Sequence, residues 1–195
     1  MGLVCFRSTD APLCCQVSYI EPSHSRHLGA SAGRLMREGE SMTGDLHLCA
    51  SDVARYVVGK CSKDNVPVSN LQLQKILYFL QYVFCIATEG SLLFDDEFFA
   101  WQYGPVIPAV YDEYKFYGSH EIDETFGGDF GVDFGEALSF VDSGIESLRV
   151  KYPWDLVSIS HEEGSPWRTV WNGGAGRGKR IPNALLRESA LKERL

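Results

Sequence analysis

The sequence has no paired Cys-x-x-Cys spacing, so its six cysteines, Cys5, Cys14, Cys15, Cys49, Cys61 and Cys85, do not read as a zinc site or a redox pair. Cys85 instead falls in an apolar helical run, where a free thiol behaves as a small hydrophobe. That usage predicts a reducing, cytoplasmic setting. No stretch approaches the roughly 20 apolar residues that cross a bilayer, and no charged start leads into an apolar run as in a secretory signal. A membrane partner is not expected. Positive charge is also scarce: 18 Lys and Arg face 26 Asp and Glu, a net −8. General affinity for nucleic acid needs a cationic surface, and this balance argues against it.

What is present is an ordinary globular composition, 45% hydrophobic and 23% charged over 195 residues. A domain of about 150 residues buries roughly 68–70% of its unfolded surface, enough to stand without metal or disulfide. The charge is uneven along the chain. Glu89 to Glu146 holds fourteen acidic residues against Lys115, whereas Arg168 to Leu195 holds seven basic against two acidic. This reads either as a solvated acidic face with a basic end, or as an acidic face that steers a cationic partner.

Residues 1–41 show no sustained apolar period and are expected to be a disordered or non-native N-terminal extension. Arg37-Glu38-Gly39 can be encoded by a purine-rich run like a bacterial ribosome-binding site just ahead of Met42, which makes Met42 an alternative start. The expected domain is 42–195, with a mainly α, compact single-domain helical fold and a short β-ribbon or extended segment around residues 92–103.

Its first helix is expected from an N-cap at Ser51 or Asp52, with Val53, Ala54, Val57 and Val58 inward. Ser69-Asn70-Leu71-Gln72 reads as a capping box opening a long, largely buried helix through Ala87, with Gly90 as its left-handed C′ residue. Gly104-Pro105 is expected to turn the chain. Pro108 opens a third helix, which Gly118 ends. Residues 118–135 read as an acidic loop, 136–150 as a helix broken by Pro153, and 154–160 as a short helix. Asn172 to Gly178 reads as a flexible loop, and a terminal helix starts at Pro182.

The order of motifs is specific. Leu71-x-Leu73-Gln74-Lys75-Ile76-Leu77-Tyr78-Phe79 is followed by Leu93-Phe94-Asp95 and by Ala100-Trp101-x-Tyr103-Gly104-Pro105-Val106-x-Pro108-x-Val110-Tyr111. Lys115-x-Tyr117-Gly118, Leu156, Ser160-His161-Glu162 and Pro166-Trp167 come next. This series, spanning about residues 50–185, resembles the Panacea domain, a family that includes SocA-like antitoxins and phage-associated proteins. The resemblance implies a helical module that neutralises a cognate toxin protein of a bacterial or phage toxin–antitoxin pair. Neutralisation would be by direct binding or as a proteolytic adaptor to a cytoplasmic protease complex. It implies neither catalysis nor a cofactor.

On physical grounds the candidate partner-binding residues are Trp101, Tyr103, Gly104, Pro105, Tyr111, Tyr114, His161 and Trp167. The aromatics are large rigid surfaces with polar tips, and the Gly-Pro pair sets backbone shape. Core packing is the competing reading, favoured for Trp101 and Tyr111 and evenly balanced for Tyr103. His161 is expected to be a satisfied structural histidine hydrogen-bonded near Trp167. Two rival functions follow from the residues: a small hydrolase using His161 with a carboxylate, and a DNA-binding autoregulator using the basic C-terminal end. His161-Glu162-Glu163 lacks the i, i+4 histidines of a metalloprotease helix, no G-x-S-x-G elbow surrounds Ser160, and Gly173 to Arg180 departs from a phosphate loop.

Overall fold

The computed structural model describes residues 44–124 and 131–193. The readings made for residues 1–41 and for the middle of the acidic loop, residues 125–130, lie outside the described residues. Among the described residues the chain forms seven α-helices and a three-stranded antiparallel sheet, a mainly α fold with a short β-ribbon as expected. None of these helices is long and apolar enough to cross a membrane.

Helix α1 (Ala50–Lys63) buries Val53, Ala54, Val57, Val58 and Cys61 at helical spacing. Its N-cap is Cys49, not Ser51 or Asp52, and no local side chain caps it. The free Ala50 N–H donates instead to the Asp96 carboxylate at 2.8 Å, a cap delivered from forty-six residues away.

Helix α2 (Asn70–Ala87) is the axis of the fold. Helix α1 packs on it, as do α4 (Leu138–Arg149), α5 (Pro153–Ser160), α7 (Asn183–Lys192) and strand β2 (Gly104–Val106). Every residue from 72 to 82 is buried, because neighbours surround the helix on all sides. Close approach of α4 depends on Gly144, where an added Cβ would lie 2.5 Å from Leu80 Cδ2. At the start of α2 the Ser69 hydroxyl accepts from the Gln72 N–H at 3.3 Å. The capping box is only half made, since Gln72 Nε2 donates to the Arg149 and Lys151 carbonyls at 2.7 and 3.0 Å. At the far end the C′ residue is Glu89, with φ 59°, and Gly90 follows it. The Gly90 N–H reaches the Cys85 carbonyl at 2.8 Å, closing a Schellman turn one residue earlier than glycine preference suggests.

Strand β1 (Phe98–Trp101) pairs with β2 through Trp101 opposite Gly104 and Phe99 opposite Val106, and on its other side with β3 (Arg180–Ile181). The hairpin turn is therefore made by Gln102 and Tyr103, and Gly104-Pro105 lies in the strand. An edge strand tolerates the missing proline N–H. Helix α3 (Pro108–Tyr114) follows, with proline in its first turn.

The glycine-rich stretch after α6 (Pro166–Trp171) is built into the sheet rather than free. Gly178 donates to the Ala100 carbonyl at 2.7 Å, and the Ala100 N–H returns to Lys179 at 2.8 Å. Gly176 is buried, and a Cβ there would lie 1.7 Å from the Val170 carbonyl oxygen. Glycine at this position allows backbone to pass backbone.

Candidate partner-binding site

A helix buried on every side exposes none of its polar residues to water, so each must find a partner inside. In α2 they fasten the backbone of the extended segment that follows. Gln81 donates from Nε2 to the Phe94 carbonyl at 2.8 Å, and its Oε1 accepts from the Leu93 and Phe94 N–H groups at 2.9 and 3.2 Å. Gln74 Oε1 accepts from the Ile107 N–H at 2.9 Å, and Asn70 Nδ2 donates to the Tyr111 carbonyl at 3.1 Å.

Lys75 completes the joint. Its ammonium group is fully buried and donates to the Pro105 carbonyl at 2.8 Å. Burial with no carboxylate to offset it pushes its pKa down from 10.5 to about 7. Gly104 makes the approach possible. Its φ is 101°, and an added Cβ would stand 2.7 Å from Ser160 Oγ and 2.8 Å from Lys75 Nζ. The Gln74-Lys75 and Gly104-Pro105 motifs, some thirty residues apart, are the two halves of one connection.

The Ser160-His161 and Pro166-Trp167 motifs close its other side. Trp167 is buried and donates from Nε1 to the Trp101 carbonyl at 2.9 Å. His161 stacks flat on it, with centroids 3.7 Å apart and planes within 4°, and Trp171 extends the stack at 5.1 Å. Stacking replaces the hydrogen bond expected for His161, whose buried Nε2 has no partner. Burial, with the Lys75 and Arg168 charges adding to it, lowers the imidazole pKa to about 4. The ring is neutral at physiological pH. Neighbouring Glu162 and Glu163 are exposed, the latter 3.3 Å from Arg168.

Outside this joint the hairpin turn and two helix starts place aromatic rings in solvent. Tyr103 is 51% exposed, Trp154 46% and Tyr111 36%. Tyr103 and Trp154 meet edge to face at 5.4 Å and 89°, and Trp101 meets Tyr111 at 4.9 Å and 63°. These two crossed pairs wall a groove of about 590 Å³, within the range of small-ligand and short-segment sites. Asn70, Leu71 and Gln74 of α2 also line it, and Gly118, Ser119, Arg177 and Gly178 contribute from loops.

The candidate residues thus divide. Trp101, Tyr103 and Tyr111 line the groove, and Tyr111 lies at the surface rather than in the core. Gly104, Pro105, Tyr114 and Trp167 are buried, so a partner reaches none of them directly, and His161 lies partly buried against Trp167. Pro105 and Trp167 are occupied in holding the hairpin, which is the physical reason they are inside.

Of the groove residues beyond the three expected to bind a partner, Trp154 adds a third exposed ring and Arg177 a charge. The signal for Trp154 was Pro153. A proline at the first helical position fixes where α5 begins, and with Leu156, Val157 and Ser160 turned inward Trp154 is left outside.

The charge asymmetry of the sequence is partly cancelled in space. Arg180 pairs with Glu97 at 3.1 Å, Arg187 with Asp45 at 2.6 Å and Lys192 with Glu188 at 2.7 Å. On the other side Lys60 lies 3.1 Å from Glu146 and 3.7 Å from Asp142. Among the described residues of the basic C-terminal end, Arg168, Arg180, Arg187 and Lys192 are thus paired with carboxylates, and Arg177 and Lys179 are not.

The family model for the SocA-like antitoxin, Panacea domain, matches residues 73–168. Antitoxin SocA of Caulobacter vibrioides (strain NA1000 / CB15N) is 30% identical over 152 residues, covering 71% of this chain and 80% of that protein. No solved structure matches the chain.

Proposed function

The chain belongs to the SocA-like antitoxin, Panacea domain family, and we propose that it is a noncatalytic antitoxin that neutralises a partner toxin by binding it in the aromatic groove beside Tyr103. The observation that carries this reading is the exposure of Tyr103, Trp154 and Tyr111 around one concavity, held by the hydrogen-bonded joint beneath. Exposed rings on a rigid support provide contact area at low entropic cost, the combination found at binding hot spots. The Lys75, Gln74 and Trp167 hydrogen bonds keep the hairpin in place before the partner arrives, so little ordering remains to oppose binding.

The test is coexpression with the product of the neighbouring gene, whose toxicity alone is established first, using Tyr103→Ala and Trp154→Ala. Both side chains are about half exposed and meet edge to face, so each substitution costs folding about 1–2 kcal/mol and the folded state of the variants is checked by circular dichroism. Toxin affinity falls at least tenfold for each, and rescue of growth fails in the double variant. Undiminished rescue by a folded double variant refutes the groove as the docking site. Toxin abundance measured in the same cells separates the two routes: a constant level means inhibition by occupancy, and a level that falls with the antitoxin means delivery to a protease.

A further inference from the structure

Arg177 is the one charged side chain lining the groove among the described residues, and it makes no ion pair with any of them. It is exposed, and its backbone N–H is held by the Gly174 carbonyl at 3.1 Å in the tight turn that docks on β1. A free guanidinium is thus mounted on a supported turn at the edge of an aromatic groove, in a protein of net charge −8. Its planar fork matches a carboxylate, which it can take in two parallel hydrogen bonds.

The shape narrows the occupant further. In both ring pairs one face is turned to a neighbour's edge, at 89° for Tyr103 with Trp154 and 63° for Trp101 with Tyr111. Crossed rings form narrow furrows of the kind that seat proline and aliphatic side chains of an extended segment. They leave no pair of parallel planes to sandwich a nucleobase. A chain of phosphates is further disfavoured by the net charge of −8, against which Arg177 is a single cation in the groove.

We infer that the groove takes an extended peptide segment of the partner toxin carrying a proline or aliphatic side chain next to a carboxylate, with the side chain between the crossed rings and the carboxylate on Arg177. The inference rests on the reading that the groove is the toxin-docking site, and it adds the chemistry that site selects. It is opposite in sign to an acidic face recruiting a cationic partner.

The probes are acetylated, amidated heptapeptides of one composition around a Pro-Leu pair, carrying Glu, Gln or Lys beside it, with a single-stranded oligouridylate as the nucleic-acid control. Binding is read by tryptophan fluorescence, since Trp154 stands in the groove. The Glu peptide binds at least fivefold more tightly than the Gln peptide and tenfold more tightly than the Lys peptide, and Arg177→Gln reduces the Glu-over-Gln preference below twofold. Equal affinities, a preference for Lys, failure of all three peptides to bind, or binding of the oligonucleotide instead would each overturn the inference. Coexpression separates its failure from that of the docking reading. Loss of rescue with Tyr103→Ala and Trp154→Ala but full rescue with Arg177→Glu removes the carboxylate and keeps the groove. Full rescue by all three removes the groove itself.

Discussion

Replacing Lys75 by methionine keeps an unbranched stem in the core and removes the ammonium group, and its effect on stability is expected to depend on pH in a definite direction. In the folded protein burial lowers the lysine pKa to about 7, against an ordinary 10.5. Between those values the unfolded chain binds a proton that the native state does not, so stability rises with pH. Below about 7 both states are protonated, and the cost of the buried charge is constant at its largest. From pH 7.0 to 8.5 the wild type therefore gains about 1.5 kcal/mol, a little less than the full 1.36 kcal/mol per unit because the native group is half charged at the start. Cys61 and Cys85, pushed up by burial to about 11, act in the opposite sense above pH 9, which is why the comparison stops at 8.5. Urea midpoints at the two pH values measure the effect: with a slope near 2 kcal/mol/M the wild type shifts upward by about 0.75 M. Lys75→Met loses that shift, whatever its absolute stability after forfeiting the bond to the Pro105 carbonyl. Equal shifts in the two proteins would show that Lys75 enters the fold as readily charged as neutral, and the reasoning would fail.

Two further outcomes follow from the same joint. Gln81→Leu leaves the Leu93 and Phe94 N–H groups and the Phe94 carbonyl without their buried partner, a loss of about 3 kcal/mol and a melting temperature lower by roughly 10 °C in calorimetry; an unchanged melting temperature would mean that water satisfies these groups. Gly104→Ala forces a side chain into a positive-φ backbone and against Ser160 Oγ and Lys75 Nζ, costing about 2–3 kcal/mol by chemical denaturation. Adding Ser160→Ala recovers part of it by vacating one of the two contacts, and no recovery would place the strain in the backbone and at Lys75 instead.

The elements that local chemistry dictates were legible. Pro108 opens α3, Pro153 ends α4 and opens α5, and the Phe-rich run after Gly90 supplies β1, whereas the helix that Pro166 opens, α6, is not among those expected from the sequence. The misreadings arose where a distant residue decides a local question. Asp96 caps α1 in place of Ser51 or Asp52, and Arg149 and Lys151 take the Gln72 amide that would have closed the capping box. Likewise β1 turns the glycine run after Trp171 into a docked turn. Hydrophobic period cannot reveal the five polar residues buried along α2, Asn70, Gln72, Gln74, Lys75 and Gln81, because in sequence they resemble the solvated face of an amphipathic helix. Gln74, Lys75 and Gln81 are inside because the extended segment wrapped around that helix has backbone groups with no sheet partner, which these side chains take, whereas Asn70 and Gln72 take carbonyls of α3 and of the end of α4.

That substitution explains how the motif relates to the surface. Trp101, Gly104, Pro105 and Trp167 are constrained by one another: Lys75 holds the Pro105 carbonyl, Trp167 holds the Trp101 carbonyl, and Gly104 leaves room for Lys75 and Ser160. Gly104 enters the joint through its lack of a side chain, Trp167 through its indole, and Trp101 and Pro105 through their carbonyls, so the motif reports the joint. Tyr103 is set between Trp101 and Gly104 by the two-residue turn, and its side chain is half exposed, one edge-to-face contact with Trp154 aside. Trp154 and Arg177 come to the same groove on α5 and on the turn leading into β3 without bearing on the joint at all. The residues that carry the family motif therefore report mainly the joint, and the proposed partner chemistry rests on the groove residues around it, Trp101 belonging to both.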